Sequence, residues 1–151
     1  MTLEDFGNLG EFLGAIGVIV SLLYLAIQIR QNTRSVRSSA YQSAISSSVQ
    51  MAATYANDES LAELWPKGAR EYSTLSEPER FRFGIFAYSV FRSYENLFYQ
   101  YKQGAIESDL WQGFHNMLVR DFKTPGFVAW WEIERNIFSS EFQRYVDELR
   151  L

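Results

Sequence analysis

The stretch Phe12–Ile29, FLGAIGVIVSLLYLAIQI, runs for eighteen residues without a charge. An α-helix of that length is about 27 Å long at 1.5 Å per residue, close to the roughly 30 Å hydrocarbon core of a bilayer. Leu9 and Gly10 add part of a turn before it. The stretch predicts a membrane-spanning helix. A secretory signal peptide would need a basic leader, whereas Glu4, Asp5 and Glu11 make this N-terminus acidic. No small-x-small cleavage site followed by a polar mature start is present either. A core helix of a soluble protein is rarely apolar on every face, as this one is.

The flanks orient the span. Arg30, Arg34 and Arg37 follow it with no acid before Asp58, and residues 1–29 hold no Lys or Arg. Basic flanks stay on the cytoplasmic side, so the N-terminus is expected outside and the C-terminal domain in the cytoplasm. The expected organisation is an extracytoplasmic tail at 1–11, a transmembrane helix at 12–29, a juxtamembrane helix at 30–57 and a cytoplasmic helical bundle at 58–151.

No helix breaker occurs between Leu9 and Asn57, so the span is expected to continue as one long helix. Small and polar residues recur along it: Gly10, Gly14, Gly17, Ser21, Gln28, Asn32, Ser35, Ser39, Gln42 and Ser46. Their spacing of three, four or seven is that of a heptad seam. Gly10 and Gly14 form a GxxxG pair, the pattern that lets two backbones approach closely in lipid. Arg30, Arg34 and Arg37 sit two residues off the stripe, about 200° round the helix, where they can face lipid headgroups. Three readings of the stripe stand at this point. It is a face for association with copies of the chain or with another membrane protein. It lines a pore between several copies. Or it is incidental, since glycine is common in membrane helices and serine in solvated faces.

Charge is unevenly spread. Of the net −4, residues 1–57 contribute nothing, so the acidic excess lies entirely in residues 58–151. An acidic domain lacks the clustered Lys and Arg of a nucleic-acid footprint. The absence of cysteine excludes disulfides, thiolate metal sites and cysteine nucleophiles. The chain has 12 Phe, 9 Tyr and 4 Trp, nearly all from Tyr41 onward, which gives the bundle ample area to bury.

Within residues 58–151 the pattern stays helical. Asp58–Trp65 reads as a short helix stopped by Pro66 and Gly68, with a loop to Leu75. Ser76-Glu-Pro-Glu79 reads as a capping box. The helix it opens carries a seam at Phe83, Ala87, Val90, Tyr94, Leu97 and Tyr101, widened by Phe86, Phe91 and Phe98, and Gly104 ends it. A further helix is expected over 108–122, another from Pro125, and a short last one capped by Ser140 with Gln143. Residues 125–151 as a single helix kinked near Ser139 is the alternative. No run alternates with period two, so the fold class is all-α, an irregular bundle without internal repeats.

Chemistry is sparse. His115 is the only histidine, with Asp109 and Asp121 six residues away on either side, and a lone helical His is a weak general base candidate. Glu132 and Glu134 lie two apart on a helix and point to different sides. Trp130 and Trp131 read as core, with the membrane interface as the alternative for one of them. The ligand sets of carboxylate-bridged or zinc sites are lacking, as are the nucleotide and hydrolase motifs. No cofactor is expected, nor a catalytic residue.

Residues 13–42, LGAIGVIVSLLYLAIQIRQNTRSVRSSAYQ, followed by an aromatic bundle with YQYKQGAIESDLW at 99–111, resemble a group of short bacterial membrane proteins of unknown function. The likeness covers most of the chain, and the IRQNTR exit from the span is its most specific part. It implies a bacterial inner-membrane location and no activity. The expected function is therefore a membrane-anchored, self-associating helical scaffold or interaction protein. A small homo-oligomeric channel lined by the first helix is the second reading, and an anchored enzyme or ligand sensor with an aromatic pocket the third.

Overall fold

The computed structural model describes residues 3–149, with the side chains of residues 3–6 and 9 left aside. These residues form six α-helices and two short 3-10 turns, with no strand among them. Helix α1 spans Leu3–Asn57, α2 Glu59–Arg70, α3 Glu77–Lys102, α4 Ser108–Phe122, α5 Pro125–Glu134 and α6 Ser140–Glu148. The 3-10 turns are Tyr72–Thr74 and Arg135–Ile137. The chain divides into two units, residues 1–39 and residues 40–151.

The first unit is helix alone. It begins at Leu3, inside the stretch read as a tail, and residues 10–39 are all exposed. The helix is long and apolar enough to cross a membrane, with a mean hydropathy of 2.3 over its most apolar eighteen residues and none of them buried. Three of its polar side chains bond within the helix. The Ser21 hydroxyl donates to the Gly17 carbonyl at 2.8 Å, Thr33 to Ile29 at 2.9 Å, and Gln28 Nε2 to the Tyr24 hydroxyl at 3.1 Å.

The second unit begins with the last turns of α1, so residues 40–57 belong with the bundle they lead into. Ala44 is buried in the core, with Ala40 and Met51 packed against it. These positions follow helical spacing along one face. The centre is α3: Phe83, Ala87, Phe91 and Leu97 of its apolar seam are almost completely enclosed. Phe91 is the hub of the aromatic core, within 5.2 Å of Trp131 and 5.3 Å of Trp130 between ring centroids. Trp130 and Trp131 are therefore core residues. Gly104 ends the turn after α3 with φ +69°, the left-handed conformation that glycine adopts without strain.

The Pro66–Gly68 stop does not occur. Helix α2 runs through both residues to Arg70. Proline forfeits one backbone bond there, but the helix buries Leu61, Leu64 and Gly68 on one face. Gly68 serves packing: a Cβ on it would lie 2.3 Å from Phe83 Cδ2. Gly126 meets it from α5, where a Cβ would lie 1.8 Å from the Gly68 carbonyl oxygen. The last helix is capped one residue earlier than the Ser140 reading, since the Ser139 hydroxyl accepts from the Phe142 N–H. Gln143 instead donates to the Phe138 carbonyl at 2.8 Å. A 3-10 turn and an extended Phe138 separate α5 from α6, so residues 125–149 are not one kinked helix.

Candidate functional site

The stripe lies along α1. Gly10, Gly14, Gly17, Ser21, Gln28, Asn32, Ser35 and Ser39 fall in the first unit, and all eight are exposed. A Cβ built on Gly10, Gly14 or Gly17 meets nothing within 4 Å. Gln42 and Ser46 fall in the second unit, also exposed, two residues either side of buried Ala44. They point about 200° away from the side of α1 that packs on the bundle. The stripe positions that fall in the second unit are thus exposed as well. Arg30, Arg34 and Arg37 are exposed, and among the described residues none of them pairs with an acid.

His115 does not meet Asp109 or Asp121. Its Nδ1 is hydrogen-bonded to the Tyr145 hydroxyl of α6, and its ring lies 6.5 Å from that of Trp111. Asp121 turns to α3 and accepts from the Tyr94 hydroxyl at 2.8 Å. Burial and the neighbouring Asp121 carboxylate both push the Tyr94 phenol far above its ordinary range, so it stays a donor. Among the described residues no cluster of His, Asp and Glu could hold a metal ion.

Sequence reading missed a cleft of about 320 Å³ in the second unit, between the end of α1, α3 and α4. Its walls are apolar, with Met51, Tyr55, Val90, Leu97, Phe114 and Met117 among them, and the Tyr94–Asp121 pair and Arg120 supply polar groups. The volume is at the lower end of small-ligand sites. Each wall follows helical spacing: Ser48, Met51 and Tyr55 on α1, Val90, Tyr94 and Leu97 on α3, Phe114, Met117 and Asp121 on α4. Those triplets are visible in the sequence, but nothing in it says that they converge. Neither His115 nor the Trp130–Trp131 pair lines this cleft.

No family model matches the chain, and neither does any curated protein or solved structure. The functional reading rests on the chain's own residues.

Proposed function

We propose that the chain is a membrane-anchored, self-associating helical scaffold whose bundle is an interaction module. The observation that carries this reading is the exposure of Phe12–Ile29 on every side. Phe12, Val18, Leu22, Leu23 and Tyr24 are each at least 60 % exposed. An apolar surface that extensive has no stable place in water, and a bilayer is the solvent that matches its length and uniformity. The arginine-rich exit favours N-terminus outside and bundle in the cytoplasm, and the resemblance of residues 13–42 favours a bacterial inner membrane.

Self-association is supported by the Gly10, Gly14, Gly17 and Ser21 face, whose small residues are of the kind on which a second helix packs closely. The Ser21 hydroxyl is already bonded to its own helix, so it needs no pore water, and this favours a packing face over a channel lining. The test is the oligomeric state of the full chain in nanodiscs. The wild-type chain is expected as a dimer or larger assembly. Replacing Gly14 and Gly17 by Leu is expected to weaken association at least tenfold, about 1.4 kcal/mol. A strict wild-type monomer, or unchanged assembly of the double variant, overturns the proposal.

A further inference from the structure

A second groove, of about 430 Å³, lies between α3 and α5 with the turn that follows it, wholly within the second unit. Its rim is unusually apolar for an exposed surface. Phe81 is 73 % exposed, Ile85 53 %, Ile137 46 % and Tyr88 40 %. Phe81, Ile85 and Tyr88 fall at i, i+4 and i+7 on α3, so they form one continuous outward ridge. The bundle folds with this ridge uncovered, although most of its large aromatics are packed away.

Two further features say what would cover it. The first is a donor in the floor. Trp130 is 2 % exposed, and its indole N–H has no hydrogen-bond partner among the described residues. No fully sealed side-chain donor or acceptor there lacks a partner, so this N–H opens to the groove that Trp130 lines. Gly84 leaves it uncovered: a Cβ on Gly84 would stand 3.3 Å from Trp130 Nε1. The second is charge. Glu77 and Glu134 line the groove, and neither forms an ion pair among the described residues. Arg80 lines it too, its guanidinium turned to the Leu75 carbonyl at 2.8 Å and the Ser73 carbonyl at 2.9 Å, so the groove holds two acids against one cation.

An apolar ridge, a lone N–H donor in the floor and an excess of acid over base at the rim together describe the complement of a peptide. We infer that the α3–α5 groove captures a basic, apolar peptide segment of a partner protein. A bulky apolar side chain of the segment covers Phe81, Ile85 and Tyr88. One of its backbone carbonyls accepts from Trp130 Nε1. Its Lys or Arg side chains meet Glu77 and Glu134. An anionic lipid surface is disfavoured by the same acids, which repel it. The inference rests on the reading of the bundle as an interaction module, and it requires neither the membrane span nor self-association.

The experiment pans a random twelve-residue peptide library against the full chain in nanodiscs, after depletion on empty nanodiscs. Selected peptides are expected to combine Lys or Arg with large apolar residues. They are expected to bind the F81S/I85S variant at least tenfold more weakly and the E77Q/E134Q variant severalfold more weakly. They should also shift the indole N–H resonance of Trp130. Phe81 and Ile85 are exposed, so the variant keeps its fold, which far-UV circular dichroism checks. No enrichment, selection of acidic peptides, or equal binding to F81S/I85S overturns the inference. So does a Trp130 resonance that moves with protein concentration, which would place a second copy in the groove, or one broadened by spin-labelled lipid, which would place the bilayer there. Oligomeric state in the same nanodiscs separates the two proposals: a monomer that captures basic peptides refutes self-association and leaves the groove standing.

Discussion

Glu79 ties three parts of the bundle together. One carboxylate oxygen accepts from Lys67 Nζ of α2 at 2.6 Å, and the other from the Ser76 backbone N–H at 2.7 Å and its hydroxyl at 2.8 Å. The Lys67 bond and the Ser76 N–H hold the carboxyl at about 2, below its ordinary 4.5. A lowered folded pKa contributes stability that is complete above about 4.5 and is lost as pH falls toward 2. Glu79→Gln is therefore expected to lower Tm at pH 6, by an amount that shrinks between pH 4.5 and pH 2. Thermal melts across that range check it, and a pH-independent difference would contradict it. The Ser76–Glu79 spacing is legible in the sequence because a capping box is local. Lys67 is not, since it reaches Glu79 only when α2 packs beside α3. Gly68 misled for the same reason: it reads as a breaker, and it is glycine because the Phe83 ring occupies the space a Cβ would take.

Elements with a strong apolar period were readable, and elements defined by punctuation were less so. The seam of α3 and the extent of α4 follow from spacing alone, because burying such a stripe outweighs any local alternative. Helix α2 shows the reverse. Pro66 is exposed, lies inside the helix and cannot donate to the Ala62 carbonyl, yet the burial of Leu61 and Leu64 carries the helix past it. Pro66→Ala restores that bond and removes the ring clash, at the expense of a less restricted unfolded chain. The net result expected is a gain of about 1–2 kcal/mol in urea unfolding. Loss of stability would mean that the proline ring supports the packing of α2. In α1 the unbroken pattern from Leu9 to Asn57 foretold one helix. The change at Ala40, where the helix joins the bundle core, leaves only alanines and a methionine as its signal.

At the scale of the whole molecule, the two units present different surfaces. The bundle buries most of its aromatics. The first unit exposes its apolar side chains from Phe12 to Val36, with three arginines toward its end. Sequence alone identified that contrast, because composition and length decide it. The cleft and the groove of the bundle were out of reach, since they arise where three helices or two helices meet and no local pattern encodes the meeting. The anchored scaffold proposed for the chain depends on the first unit entering a bilayer in the orientation its flanks dictate. The chain has no cysteine, which makes the test clean. Single cysteines at Asn8, Leu23 and Gln103 are introduced in turn, and bacterial cells producing each variant are treated with a membrane-impermeant maleimide. Asn8→Cys is expected to react in intact cells, Gln103→Cys only after lysis, and Leu23→Cys in neither case without detergent. Labelling of Leu23→Cys in aqueous lysate, or of Gln103→Cys in intact cells, would contradict the account.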